Sequence, residues 1–155
     1  MNEIEKAWIA GIIDGEGCIF IKKRVRSDGK CKFHGYQMGI TVGNTDRRMI
    51  DRLKFLTGFG SIHEVIEKRE SRNRKSYIWI TGAKNGFIFL SKIKDYLICK
   101  KEQAEIALQI QSLISNSRNY VKEEIKNLQD DLYLKMKELN RRGPLYLHIR
   151  DLLSI

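Results

Sequence analysis

Two kinds of side chain in this 155-residue chain have chemistry to offer. One is a single carboxylate, Glu16, set between Gly15 and Gly17 at the end of the apolar stretch Ile9-Ala10-Gly11-Ile12-Ile13-Asp14. The other is a surplus of cations. The net charge is +10 and the pI is near 9.6, and the basic residues cluster at 22–32 and 68–75 rather than spreading evenly. Such a surplus calls for a polyanionic partner, most often nucleic acid. What is missing narrows the chemistry further. His34, His63 and His148 form no coherent site, although His63 shares strand parity with Ser61 and Val65 and so is a candidate for facing a ligand. No Ser-His-Asp pattern or phosphate-cradling glycine loop is visible. Cys18, Cys31 and Cys99 have no paired spacing, which argues against a disulfide framework or a zinc site.

The elements that must position Glu16 follow from periodicity. Ala7, Ala10, Gly11 and Asp14 fall at i, i+3, i+4 and i+7, one helix face small enough for another backbone to approach. Ile9, Ile12 and Ile13 make a second, core-covering stripe, with Trp8 beside it. Gly15 and Gly17 disfavour continuation, so the helix is expected to run out around Gly15-Glu16-Gly17. Residues 18–25 alternate as a strand, with Ile19 and Ile21 on one side and Phe20, Lys22 and Arg24 on the other. After a turn at residues 27–30, the return strand at about 33–42 places Tyr36, Met38, Ile40 and Val42 opposite Gly35, Gln37, Gly39 and Thr41. Glycines on that polar face are expected to let a ligand approach the backbone. A cap at residues 44–46 opens a helix to about Leu56. Strands at 61–67 and 76–81 then flank the basic connection, and helices follow at 83–95, 100–114 and 121–139. A helical hairpin at 115–117 and a short terminal helix at 145–155 complete the chain. The class is α+β, in the order αββαββα with an antiparallel sheet and extra C-terminal helices. Its length suits a single domain, residues 1–155, with a core at about 3–114 and a helical extension at about 119–155.

The stretch Ile9 to Gly17 closely resembles the signature of the LAGLIDADG homing endonucleases in a Gly-Glu-Gly form, and the element order matches that family's core over roughly Glu3 to Leu113. In that family two such helices pack together and the last acid of each binds a catalytic divalent metal. The resemblance implies Glu16 as metal ligand, with the Gly15 carbonyl as companion and Mg²⁺ as the ion, Mn²⁺ being an alternative. Mg²⁺ suits few protein ligands because it keeps several waters. Asp14 resembles the family's structural acid. By position, Asn44 matches a polar residue that helps place water, where the family often has the longer Gln. Arg48 matches a basic residue near the scissile phosphate, although Arg47 is adjacent and a one-residue shift stays open. Lys100 matches a lysine that precedes a helix. Only one motif copy is present, so a homodimer paired through Ala7, Ala10, Gly11 and Asp14 is implied.

The implied activity is site-specific double-strand cleavage of a long, partly palindromic duplex DNA, leaving short 3′ overhangs. The polar faces of both hairpins are assigned to DNA reading, led by Lys22, Arg24, Gln37 and Thr41 and followed by Arg72, Arg74 and Lys75. A nine-residue strand spans roughly 30 Å, about nine base pairs. Two alternatives remain open on the same fold. One is an RNA-binding maturase that assists intron splicing, and the other is a DNA-binding regulator that has lost cleavage. The N-terminus lacks the blocks of a secretory signal, no apolar run is long enough to cross a membrane, and an intracellular, reducing compartment is the default.

Overall fold

The first helix, α1 (Glu3–Glu16), starts at a capping box. Asn2 Oδ1 accepts the Glu5 N–H at 2.9 Å, and Glu5 Oε2 accepts the Asn2 N–H at 2.9 Å. In this computed structural model α1 continues through both Gly15 and Glu16 and ends only at Gly17, whose backbone is already extended and whose N–H bonds Ile13 O. The helix thus runs out within Gly15-Glu16-Gly17 as expected, at the second glycine of the three. Of Gly11, Gly15 and Gly17, only Gly17 is sterically required to be glycine, since a Cβ there would stand 2.6 Å from Ile13 O. The structure describes residues 1–27, 32–67, 74–115 and 123–141, with the backbone alone described for 24–27, 32–34, 67, 74 and 115. The expected turn beyond Ser27, the expected hairpin beyond Ser115, Arg72, the side chains of Arg24 and Arg74, and the expected helix at 145–155 therefore lie outside the described residues.

From Gly17 the chain turns directly into β1 (Gly17–Ser27), paired antiparallel with β2 (Lys32–Asn44). Helix α2 (Arg47–Thr57) is capped by Asp46, whose side chain accepts the Arg48 N–H, and is closed by left-handed Gly58 at φ 75°. Strands β3 (Ser61–Glu67) and β4 (Arg74–Gly82) form the second hairpin, followed by α3 (Ala83–Ile93), a 3₁₀ turn at Lys94–Tyr96, α4 (Lys101–Ser115) and α5 (Glu123–Leu139). The strands make one four-stranded antiparallel sheet in the order β1-β2-β4-β3.

One face of this sheet carries Ile19, Ile21, Tyr36, Met38, Ile40, Val42 and Trp79, all buried under the helices. The alternation assigned from sequence to residues 19–21 and 36–42 holds residue for residue, because burial of one face fixes register at period two. Helix α5 is part of this layer and not an appendage. It packs on α4 and β1 and buries Leu132, Met136 and Gln129. Lys23 Nζ bonds Asp130 Oδ1 at 2.6 Å, Tyr36 Oη donates to the same oxygen, and Asn140 Nδ2 donates to Ile19 O at 2.7 Å.

Register also decides where the hairpins point. Gly39 pairs with Gly82 and Asn44 with Tyr77. The paired strand ends Ser27/Lys32 and Glu67/Arg74 therefore lie at opposite ends of the sheet. Arg74 stands three residues beyond the position opposite Asn44, and Lys32 lies twelve before Asn44 along β2. The sheet thus extends roughly 50 Å along its strands, three residues beyond its longest strand β2, with the start of β1 between the two ends.

Candidate active site and nucleic-acid interface

The last carbonyls of a helix have no intrahelical donor and carry partial negative charge. At the end of α1, Ile13 O takes the Gly17 N–H and Asp14 O takes the Lys100 ammonium. The Gly15 carbonyl and the exposed Glu16 carboxylate are the next acceptors along, and no basic residue occupies that last turn. This collection of hard oxygens at the negative end of a helix dipole suits a small divalent cation. Among the described residues no group of three or more His, Cys, Asp or Glu side chains gathers to hold a metal. One chain alone thus offers a sparse oxygen set that leaves most of a cation's coordination to water or to a second copy.

Asp14 has a different duty. Its carboxylate accepts the Ile98 N–H at 2.7 Å and the Lys100 N–H at 2.9 Å. It anchors the segment that opens α4 within its own chain, and it brings Lys100 to the motif. Asp14, expected at a surface between two chains, thus has its carboxylate engaged within its own chain. Its side chain is spent on backbone donors 84 and 86 residues away.

Gly17 pairs with Val42, so the end of α1 meets β2 just before Asn44. Asn44 Oδ1 accepts the Asp46 N–H at 2.8 Å, ordering the entry to α2. Arg48 lies in the first turn of that helix, with Nε 3.0 Å from Asp46 Oδ1, and its side chain is 91% exposed. The hydrogen bond to Arg48 holds the Asp46 carboxyl below the usual carboxylate range, and Asp46 raises Arg48 in turn. Arg47 turns the other way, toward Asp51 at 3.3 Å and over the Tyr77 ring at 5.4 Å. Thus Glu16, Asn44 and Lys100 gather around the end of α1 through β-pairing and the Asp14 anchor, and Arg48 follows Asn44 by one helix cap.

The sheet face turned away from the helices carries Cys18, Phe20 and Lys22 from β1 and Gln37 and Thr41 from β2. Arg24 pairs with Gly35 in the same alternation. The pairing of Ser61 with Ile80 and His63 with Ile78 adds Ser61, His63, Val65, Ile78 and Ile80 from the second hairpin. Ile78 and Ile80 were not recognised in the sequence, although the even numbers of β4 contain the signal. The same parity corrects Lys75. It lies on the helix side of β4, the face of Tyr77 and Trp79, where Nζ pairs with Glu64 Oε1 at 2.9 Å. Arg74 and Lys75, being neighbours on a strand, cannot share a face. The glycines also do something other than expected. A Cβ on Gly39 would collide with the Phe20 ring, and one on Gly43 would touch Ile78 Cγ1 at 3.8 Å. Gly39 thus seats the Phe20 ring instead of leaving bare backbone, whereas the distance at Gly43 is ordinary van der Waals contact. A cleft of about 400 Å³ results, lined among others by Phe20, Lys22, Gln37, Ser61, Ile80 and Asn85.

Of the small-residue face of α1, Ala7 and Gly11 are exposed, and a Cβ at Gly11 or Gly15 would meet nothing within 4 Å. Ala10 is fully buried in the core of its own chain, which corrects its assignment to an intermolecular surface. Ile4, 81% exposed, and Trp8, 39% exposed, share the open side with Gly11 and Gly15 at helical spacing.

A family profile described as a LAGLIDADG-like domain matches residues 3–94, more than half of the chain, a span that holds Glu16, Asn44 and Arg48 and ends before Lys100. The chain belongs to the LAGLIDADG family. It is 27% identical over 121 residues to the DNA endonuclease I-CvuI of Chlorella vulgaris, covering 76% of this chain and 70% of that protein. The crystal structure of I-CvuI in complex with its target in the presence of Ca superposes with a TM-score of 0.70 at 22% identity, covering 96% of this chain and 91% of that one. The archaeal intron-encoded homing endonuclease I-Vdi141I, complexed with DNA, gives a TM-score of 0.73 at 18% identity, covering 92% and 87%. The LAGLIDADG meganuclease I-AabMI, bound to uncleaved DNA, gives 0.58 at 22% identity, covering 97% of this chain but 48% of that longer one. The LAGLIDADG motif of this chain is therefore the α1 segment that ends in Glu16, and the fold around it is the family's α+β fold.

Proposed function

We propose that this chain is a homing-type DNA endonuclease that works as a homodimer and makes Mg²⁺-dependent double-strand breaks in a partly palindromic duplex of roughly 18 or more base pairs. The observation that carries the reading is the exposed Glu16 carboxylate, delivered by a helix with an open glycine face to a point about a third of the way along a sheet roughly 50 Å long. Pairing of two α1 helices through Ile4, Ala7, Trp8, Gly11 and Gly15 would bring two such carboxylates together about a two-fold axis. The half-length match to I-AabMI accords with one chain supplying half of a composite site.

In this reading Glu16 and the Gly15 carbonyl of each protomer hold Mg²⁺, with Mn²⁺ as a substitute. The bound ion supplies charge neutralisation at the phosphate and an activated water. Lys100, tethered to the end of the motif, places its ammonium where negative charge develops. The Arg48 guanidinium exchanges Asp46 for a phosphate oxygen, and Asn44 orients water. Lys22, Arg24, Gln37 and Thr41 meet base edges and backbone in the major groove, where every base pair is distinguishable. Among the described residues no helix is long and apolar enough to cross a membrane. The proposed setting is intracellular, where the exposed free thiols of Cys18 and Cys99 stay reduced.

The test is Glu16→Gln. Target duplexes selected from a random pool are incubated with wild-type and variant protein, with and without Mg²⁺. The variant is expected to bind as wild type does, because phosphate contacts come from the basic sheet, and to cleave at least about a hundredfold more slowly. Normal cleavage by the folded variant would remove Glu16 from the mechanism. Binding without cleavage by wild type in both Mg²⁺ and Mn²⁺ would replace the nuclease reading with that of a DNA-binding regulator.

A further inference from the structure

The open face of the sheet is chemically divided. Its β1–β2 portion presents hydrogen-bonding groups, Lys22, Gln37 and Thr41. Its β3–β4 portion presents Ile80, 38% exposed, and Val65, 36% exposed, with half-buried Ile78 between them, alongside the polar Ser61, His63 and Ser76. These residues share one face by register, since Ile80 pairs with both Thr41 and Ser61, Ile78 with Gly43 and His63, and Val65 with Ser76. Phe20 continues the apolar surface across β2 by resting on Gly39, and Ile78 leans toward Gly43. Phe20 and Ile80 both line the cleft of about 400 Å³, beside the polar groups of Lys22, Gln37, Ser61 and Asn85.

Exposed apolar side chains on an ordered sheet face mark contact with something that is itself partly apolar. The surroundings argue which partner. The cleft contains Lys22, whose ammonium lies 5.6 Å from the Phe20 ring centroid, and the whole chain carries +10. A duplex major groove offers a polyanionic rim together with one apolar feature, the C5-methyl of thymine. We infer that the β3–β4 portion of this face reads thymine methyl groups, with Ile80 as the principal contact and Ile78 and Val65 flanking it. Methyl readout then belongs to the apolar residues of β3–β4, beside the hydrogen-bonding groups of Lys22, Gln37 and Thr41 on β1–β2 and of Ser61 and His63 on β3. This inference rests on the DNA-binding reading above and goes beyond it by naming the chemical group recognised and the residues that recognise it.

The test removes the methyl without touching the hydrogen-bonding edge. A duplex selected by the wild-type protein from a random pool is resynthesised with deoxyuridine replacing thymine one position at a time, and binding is measured by fluorescence anisotropy in metal-free buffer. At one or more thymines in each half-site, substitution is expected to weaken binding about fourfold, and about fifteen-fold when both symmetry-related thymines are replaced. Ile80→Ser is expected to weaken binding to the thymine duplex by the same factor and to respond no further to deoxyuridine at that position. Its salt dependence should match wild type, since no phosphate contact is lost. Circular dichroism melting verifies that the variant is folded, and Ile80→Val, which keeps an apolar tip, should restore the methyl dependence. If deoxyuridine is tolerated at every position of an enriched site, or if Ile80→Ser remains sensitive at the same thymines as wild type, the inference fails while DNA binding stands. A pool with no enriched site overturns the DNA-binding reading and this inference together, and leaves the strip to a protein partner.

Discussion

Replacing Asp14 with alanine isolates the anchor between the motif helix and the start of α4. The Asp14 carboxylate takes two backbone N–H groups, from Ile98 at 2.7 Å and Lys100 at 2.9 Å, and the site is half-buried. Hydrogen bonds to a charged acceptor contribute about 1.5–3 kcal/mol each. Partial solvent access places this pair at the lower bound, so Asp14→Ala should cost about 3 kcal/mol. In a domain of this size each kcal/mol moves Tm by about 2–4 °C, which makes the expected fall about 6–12 °C. Asp14→Asn keeps one carbonyl oxygen but turns an amide N–H toward the second donor, and it should lose about half as much. The assay is thermal and urea unfolding of the metal-free protein, followed by cleavage at a temperature where each variant is fully folded. Cleavage should also fall, because the Lys100 segment loses its tether even though the bond from its ammonium to the Asp14 carbonyl involves main chain. A metal-ligand role predicts the reverse pattern, with an unchanged metal-free Tm and a lost Mg²⁺-induced rise. Unchanged metal-free stability in Asp14→Ala would refute the anchor.

Gly11→Leu should leave the isolated fold intact, since a Cβ there meets nothing within 4 Å. It should abolish dimerisation in sedimentation, and a wild-type association constant would exclude the α1 face as the contact. Gly39→Val must displace the Phe20 ring from its seat. Overpacking of this kind costs about 1–3 kcal/mol in urea unfolding, and a neutral result would contradict the close packing of Phe20 on β2. Asp130 is held below the usual carboxylate range by the Lys23 hydrogen bond and then by that of Tyr36. Its contribution is therefore present above the unfolded carboxylate pKa of about 3.9 and lost as pH falls through the lower folded value. The urea-midpoint difference between wild type and Asp130→Asn should stay constant from about pH 7 to 5 and shrink below about pH 4, and a difference independent of pH would detach Asp130 from Lys23.

Much of this protein is determined by local pattern. The motif residues Ile9 to Gly17 specify a helix that ends in an acid, and the Asn44-Thr45-Asp46 segment specifies the cap of α2, because capping and glycine effects operate within one or two turns. The alternations around Ile19 and across 36–42 specify which side of each strand is buried, because burying apolar area on one face dominates the choice between two registers. The same rule, applied to β4, separates Arg74 from Lys75 and joins Ile78 to Ile80, so that part of the interface was legible by parity alone.

Other features have no local cause. The strand order β1-β2-β4-β3 carries the paired strand ends Ser27/Lys32 and Glu67/Arg74 to opposite ends of the sheet, a consequence of how the second hairpin docks on β2. Asp14 finds its donors at Ile98 and Lys100 only after α3 and the 3₁₀ turn have folded back against α1. Ala10 and Gly11 are adjacent small residues in the sequence, yet one is sealed in the core and the other is open. A helix pattern defines a stripe of small residues, but which edge of that stripe is covered depends on the elements packed beside it. Periodicity reports which direction a side chain takes from its own backbone. Only tertiary packing decides what stands there to meet it.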